Sequence, residues 1–171
     1  MTAVGVGIPE EFRTQEAIDF AVSLEGSRID SVWFSEVARD SLVRISAVLT
    51  ATQQLRAGTS ITLSNRHPIT AAITTAELHE FADGRFTYGV GAGPADVNEG
   101  FYGIPGAHPA RRMSEYLKVL RGAWAASSTH PFTFHGEHYQ IEKFSSPYVT
   151  RGGPPVVLAA VQQGMLRLAG R

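Results

Sequence analysis

The side chains that could do chemistry in this chain are few, and the clearest one is a carboxylate. Glu36 closely follows an apolar segment, residues 30–34, whose pattern predicts a β-strand. In α/β enzymes the carboxyl ends of parallel strands are where catalytic and ligand-contact groups lie. Glu36 is therefore the candidate catalytic residue, although an ion pair with Arg39 or Arg44 would explain it equally well.

A run of alternating glycines ends another predicted strand. Gly89, Gly91 and Gly93 form Gly-Val-Gly-Ala-Gly, and glycine lets a ligand or a second backbone approach closely. The spacing differs from the Gly-x-Gly-x-x-Gly of dinucleotide-binding proteins, and Pro94 argues against a phosphate cradle at a following helix start. The run predicts close packing against a flat ring or, alternatively, a crowded turn.

Histidines suggest a metal site at first sight. In His135-Gly136-Glu137-His138 a separation of three puts the two imidazoles on opposite faces of a strand, unless Gly136 reverses the chain. No third ligand is convincingly spaced nearby, so we expect a hairpin tip and no metal. His67 precedes Pro68 at a predicted helix start, where it could cap the helix or serve a site.

Composition excludes several classes of function. Fifteen Lys and Arg face sixteen Asp and Glu, for a formal net charge of -1, so we expect no nucleic-acid or anionic-lipid partner. The absence of cysteine removes disulfides and thiolate chemistry. No signal peptide or run of roughly 18 apolar residues is present, which predicts a cytoplasmic protein with no membrane association. Without a Gly-x-Ser-x-Gly motif, hydrolase chemistry is unsupported, and the reactivity is expected from a cofactor.

The elements that must position these residues alternate along the chain. Asp40 is the expected N-cap of the second helix, Gly84 the C-terminal cap of the third, and Pro109 the start of the fourth. The predicted strands are residues 3–8, 30–34, 55–63, 85–91 and 156–160, and the predicted helices are residues 14–25, 41–53, 68–82, 109–124 and 164–170. Residues 132–144 are predicted to form an excursion hairpin around Gly136.

Strict alternation predicts an α/β fold with a parallel sheet covered by helices. A doubly wound sheet would be complete at five strands, whereas a TIM-type (β/α)8 barrel needs eight units and about 250 residues. A length of 171 residues favours the doubly wound sheet. The motifs at the strand ends favour the barrel, as a single domain over residues 1–171 truncated to about five βα units.

In their order and spacing, these motifs resemble the luciferase-like monooxygenase superfamily, and especially its branch that depends on the deazaflavin coenzyme F420. The segments that carry the resemblance are residues 30–36, 58–62, 66–68, 84–93, 98–99, 109–117, 134–139, 155–160 and 165–170. The resemblance implies a barrel that binds a flavin or deazaflavin ring at its strand ends. It also implies a non-proline cis peptide at Ser60–Ile61, behind the ring.

The resemblance implies which residues bind the cofactor and what the reaction is. The implied contacts are Glu36, Ser60, Ile61, Thr62, Gly91, Gly93, Asn98, Val161 and Gln162. The implied reaction is hydride transfer between coenzyme F420 and a small organic substrate. The alternative is a monooxygenase that uses oxygen and reduced FMN from a partner flavin reductase.

The sequence also departs from the family pattern. Val37 stands where many relatives carry a histidine, and Pro94 or Ala95 where one relative has a glutamate proton donor, so the proton donor is not identified. Residues 160–164 differ from the usual cofactor-wrapping motif. Relatives continue through three more strands, and an open barrel exposes two strand edges. A third hypothesis is therefore a truncated, non-catalytic cofactor-binding or assembly module, closed by a second copy or a partner chain.

Overall fold

The computed structural model describes residues 3–104, 108–147 and 152–170. The strands are β1 (Gly5–Ile8), β2 (Ser31–Phe34), β3 (Arg56–Thr59), β4 (Thr62–Leu63), β5 (Phe86–Gly91), β6 (Phe132–His135), β7 (Gln140–Phe144) and β8 (Val156–Leu158). The helices are α1 (Thr14–Leu24), α2 (Ser41–Ala51), α3 (Pro68–Phe81), α4 (Ala95–Tyr102), α5 (Pro109–Ala125) and α6 (Gln163–Ala169). Within these ranges no helix has both the length and the apolar character that a bilayer crossing requires.

The chain divides into two compact units. The first comprises Met1–Thr62, Leu78–Val90 and Pro154–Val157. The second comprises Leu63–Glu77, Gly91–Gly153 and Leu158–Arg171.

Parallel pairing organises the first unit. The strand order is β1-β2-β3-β5-β4, with β8 paired to β5, and β1, β2, β3 and β5 run parallel. Parallel neighbours need a crossover, which a helix provides. Val32 and Phe34 of β2 are fully buried. Ile45 of α2 is fully buried as well, and Leu49 of the same helix is 2% exposed. The predicted α/β class, with five successive βα units, is confirmed.

The N-terminus of α2 forms as its sequence predicts. Asp40 has an extended backbone, and its carboxylate accepts hydrogen bonds from the N–H groups of Leu42 (3.0 Å) and Val43 (3.1 Å). An acidic N-cap satisfies donors that have no partner within the helix. The cap therefore sets where α2 begins, directly before Ser41.

The prediction of one strand over residues 55–63 is wrong. The ladder stops at Thr59 and resumes at Thr62, and the Ser60–Ile61 peptide bond between them is cis, as the resemblance implied. The residues before and after the break are both buried, so the apolar pattern of the sequence continues across it. The pattern therefore cannot show that the hydrogen bonds between strands are interrupted there.

Helix α4 was not predicted. Pro94 lies at its N-cap position with an extended backbone, and Gly103 ends it in the left-handed conformation. The sequence predicts only that Pro94 disfavours a phosphate cradle at a following helix start, but a proline next to the first helical turn is compatible with a helix because its missing N–H would have no partner there.

The second unit is built on α5. Met113, Leu117, Leu120 and Trp124 lie on one buried stripe of this helix, as its 3.6-residue periodicity predicts. The indole N–H of Trp124 donates to the carbonyl oxygen of Ala72 at 3.0 Å. Strands β6 and β7 pair antiparallel at the position of the predicted excursion hairpin.

Among the described glycines, Gly89 makes the tightest backbone approach, which lies between β3 and β5. The Thr59 hydroxyl donates to the carbonyl oxygen of Gly89 at 2.5 Å and accepts from the Gly89 N–H at 2.8 Å. A Cβ placed on Gly89 would lie 1.8 Å from the carbonyl oxygen of Thr59. Only glycine fits at this point of the sheet.

Replacing Gly89 by alanine should therefore destabilise the protein strongly. We expect a loss of about 3 kcal/mol, equivalent to a fall in Tm of about 6 to 12 °C, because backbone has to move to admit the methyl group. Urea unfolding and thermal melting followed by circular dichroism measure the change.

Gly7→Ala is the matched control. Gly7 is also a strand glycine, but a Cβ there would meet no atom within 4 Å. This variant should be neutral or more stable by up to about 1 kcal/mol, because alanine reduces the conformational entropy of the unfolded chain. Equal stability of the two variants would contradict the close approach.

Candidate functional site

Glu36 lies beyond the carboxyl end of β2 and is buried. Its side chain is 5% exposed, and Oε2 accepts hydrogen bonds from the Ser41 hydroxyl at 2.6 Å and from the Ser41 N–H at 3.3 Å. Ser41 is the first residue of α2, so the carboxylate also benefits from the positive end of the helix dipole. Buried carboxylates need such donors, because an unsatisfied buried charge is strongly destabilising.

A second hydroxyl extends this cluster. The Ser41 and Thr62 hydroxyl oxygens lie 3.1 Å apart, and both residues are fully buried. Thr62 begins β4, directly after the segment that leaves the sheet. The first unit therefore joins the end of β2, the start of α2 and the start of β4 through three polar side chains.

Ser60 and Ile61 are the accessible part of this region. Ser60 is exposed and Ile61 is half-buried, whereas Thr59 and Thr62 on either side are buried. The segment lies at the carboxyl end of β3, the edge where ligands bind in parallel sheets. It offers a ligand one hydroxyl group and one apolar side chain.

Glu10 holds the loop that follows Glu36. Its Oε1 accepts hydrogen bonds from the N–H groups of Val37 (3.1 Å) and Ala38 (2.9 Å). The hydrogen bond from Ala38 is the largest influence on this carboxyl group and, with the smaller contribution of Val37, it lowers the pKa of Glu10. Glu10 thus connects the end of β1 to the end of β2.

The glycine turn is a local feature of the second unit. Gly93 has a φ of 74°, a conformation that favours glycine, and a Cβ there would lie 2.8 Å from Cδ2 of Leu63. Asn98, 8% exposed, donates from Nδ2 to the carbonyl oxygen of Ala92 at 2.6 Å. The Asn98 amide therefore holds the turn, and its predicted contact with a cofactor remains a prediction, as does that of Gly91 at the end of β5.

The other predicted contacts lie between β8 and α6. Val161 is 92% exposed, and Gln162, also exposed, is the N-cap residue of α6 without a side-chain cap. Both side chains are accessible to a ligand.

The histidines have structural surroundings. Nδ1 of His67 accepts a hydrogen bond from the Ile69 N–H at 3.3 Å. Of the two predicted roles, capping the helix or serving a site, this contact corresponds to capping. His135 ends β6, and His138 lies in the hairpin turn before β7. Both histidines thus lie at the end of the antiparallel pair β6-β7.

Among the described residues, one group has the composition of a metal site, and sequence reasoning missed its third member. Glu115, Glu137 and His138 bring ligand atoms within 4.8 Å of one another. The two oxygens of Glu115 accept N–H groups of Glu137 (3.0 Å), His138 (2.8 Å) and Tyr139 (3.3 Å). Burial opposes ionisation of Glu115, but these hydrogen bonds together lower its pKa. The group thus has an evident structural role, since Glu115 anchors the hairpin to α5.

Ser41 is the residue of the candidate site that the sequence did not reveal. Next to Asp40 it reads as an ordinary first residue of a helix, and nothing in its local pattern indicates a partner at position 36 or 62. A long-range contact between single hydroxyl groups leaves no periodic signal. The Ser41 contact is visible only in the folded chain.

Comparison with known proteins places these features in a family context. Residues 2–171 match the family described as luciferase-like monooxygenase. An F420-dependent glucose-6-phosphate dehydrogenase of Mycolicibacterium fortuitum is 32% identical over 179 residues, covering 95% of this chain and 52% of the relative.

Solved structures match more completely in fold than in sequence. An F420-dependent secondary alcohol dehydrogenase, in complex with an F420-acetone adduct, superposes with a TM-score of 0.84 at 25% identity, over 99% of this chain and 56% of that one. The oxygenating constituent of 3,6-diketocamphane monooxygenase from Pseudomonas putida, with FMN, gives 0.73 at 20% identity, over 91% and 51%. The chain spans about half the length of these proteins, and the predicted TIM-type fold class is confirmed.

The Glu10 contact predicts how stability depends on pH. Because the folded-state pKa of Glu10 lies below its unfolded value, its contribution is complete above the ordinary glutamate pKa of about 4.3 and is lost as the pH falls through the lowered value. Glu10→Gln should lose about 1 kcal/mol at pH 7, since a neutral acceptor replaces a charged one. The variant should also lose less stability than the wild type on acidification.

Urea unfolding at a series of pH values measures both effects. Glu11→Gln is the control, because Glu11 is exposed and adjacent in sequence. If both variants behave alike at every pH, the role of Glu10 in holding the loop is refuted.

Proposed function

Because the chain belongs to the luciferase-like monooxygenase family, we propose that it binds the deazaflavin coenzyme F420 and transfers a hydride between this coenzyme and a small organic substrate. Support comes from relatives named as F420-dependent dehydrogenases and from the fold likeness to one bound to an F420 adduct. The substrate belongs to the proposal only as a class, since the chain spans about half of these relatives.

The observation that carries the proposal is the accessibility of Ser60 and Ile61, the two residues between β3 and β4. A planar ring needs an apolar surface to pack on and polar groups at its edge. Ile61 supplies half-buried apolar surface, Ser60 supplies an exposed hydroxyl, and both lie at the carboxyl end of β3. The residues present therefore fit the ring portion of a deazaflavin.

Coenzyme F420, when bound, supplies two-electron chemistry by accepting or donating a hydride. The chain's own contribution would be to hold the ring against Ile61, to orient its edge by the Ser60 hydroxyl and to exclude water. Val37, next to Glu36, cannot exchange a proton. The proposed additional contacts with the cofactor are Gly91, Gly93, Asn98, Val161 and Gln162.

FMN is the competing cofactor, because the diketocamphane monooxygenase with FMN shares the fold. Fluorescence titration of the protein with F420, and separately with reduced and oxidised FMN, distinguishes the two. We expect F420 to bind more tightly and to raise Tm more at equal concentration. Preferential stabilisation by FMN would favour an FMN-dependent monooxygenase instead. If neither cofactor binds, the result favours a non-catalytic module.

A charged side chain at Ile61 should abolish the ring contact. Ile61→Arg removes apolar surface and places a cation at the proposed ring face, so we expect F420 affinity to fall by at least about tenfold, corresponding to about 1.4 kcal/mol. Ile73→Arg is the control, because Ile73 is 44% exposed on α3, and this variant should bind normally. Unchanged binding by Ile61→Arg would place the cofactor elsewhere.

A further inference from the structure

The geometry points to a role for Glu36 that differs from direct contact with a ligand. We propose that Glu36 is a positioning residue, which acts through Ser41 and Thr62 to hold the Ser60–Ile61 segment in its ligand-accessible conformation. The inference deepens the proposed function and rests on it for the identity of the ligand. The positioning itself can be tested without any ligand.

Exposure separates the residues into two layers. Ser60 is exposed and Ile61 half-buried, so these two can meet a ligand. Behind them, Thr62 and Ser41 are fully buried and Glu36 is 5% exposed. The carboxylate oxygen Oε2 is engaged by the backbone and hydroxyl of Ser41, at the start of α2. Glu36 therefore belongs to the buried support of the segment.

The available donors and acceptors determine which group donates in each hydrogen bond of the cluster. A carboxylate only accepts hydrogen bonds, so at 2.6 Å the Ser41 hydroxyl donates its single hydrogen to Glu36. The Ser41 oxygen can then only accept in its 3.1 Å contact with Thr62, so the Thr62 hydroxyl donates to Ser41. One negative charge thereby orients two hydroxyl groups in sequence, and such charge-assisted hydrogen bonds are the strong ones.

The backbone connects the buried cluster to the exposed segment. Thr62 is bonded directly to Ile61, and its side chain is held by Ser41. Fixing the Thr62 side chain limits how Ile61 and Ser60 can move, which pre-organises the surface that a ring would pack on. A functional surface placed within about 0.5 Å requires this kind of supporting layer.

Hydrogen exchange in the ligand-free protein tests the positioning directly. Ser41→Ala leaves Thr62 without its acceptor, so the amides of Ile61, Thr62 and Leu63 should exchange faster, by about tenfold for a contact of about 1.4 kcal/mol. Ser41→Thr keeps the hydroxyl and should restore protection. Ser46→Ala is the matched control on the same helix, because the Ser46 hydroxyl bonds only to Val43 of its own helix among the contacts described. Unchanged exchange in Ser41→Ala overturns the proposal.

Titration with F420 tests the role in binding. Glu36→Gln keeps an acceptor for Ser41 but removes the charge, so the Kd for F420 should rise by no more than about threefold. Ser41→Ala should raise it by about tenfold, Ser41→Thr should restore it, and Ser46→Ala should leave it unchanged. A large loss in Glu36→Gln, with normal binding by Ser41→Ala, would show direct contact of Glu36 and overturn the proposal.

The two experiments separate this inference from the proposed function. If the wild-type protein binds neither F420 nor FMN, the proposed function fails, whereas the exchange comparison still decides whether the contact between Ser41 and Thr62 holds the segment. Circular dichroism spectra and Tm values of all variants verify that each is folded before exchange is interpreted.

Discussion

The contact between Thr59 and Gly89 decides where the carboxyl ends of β3 and β5 lie. The Thr59 hydroxyl bonds to both the carbonyl and the N–H of Gly89, and no side chain fits between the two backbones. The Thr59 hydroxyl thus pairs both backbone groups of Gly89 at the point where β3 ends. The chain is then able to turn out at Ser60 and return at Thr62.

Carboxylates perform a related task in the loops of each unit. Three glutamates accept backbone N–H groups that are distant in sequence: Glu10 from residues 37 and 38, Glu25 from residues 53–55, and Glu115 from residues 137–139. Burial alone would raise the pKa of Glu25 and Glu115, but the hydrogen bonds outweigh it and lower both. Irregular segments need such partners because they lack a ladder of their own.

Glu36 combines a position at a strand end with a buried side chain. Its position in the sequence is that of a catalytic group in many parallel-sheet enzymes, yet its side chain is buried against the start of α2. The accessible groups come instead from Ser60 and Ile61. A parallel sheet can thus carry exposed residues at a strand end above a layer of buried polar residues, and only the exposed ones are visible as a surface.

The sequence by itself determined the alternation of strands and helices apart from α4 and the break between β3 and β4, the N-cap at Asp40, the parallel α/β class and, through ordered motifs, the family. These features follow from periodicity, capping and turn chemistry, which act between residues close in the chain. Tertiary structure decided that residues 55–63 form two strands, that Pro94 precedes a helix and that Ser41 joins Glu36 to Thr62. The first and the last of these depend on what a distant segment places nearby, such as Gly89 against Thr59, and a contact between single residues far apart in sequence has no period by which it could be predicted.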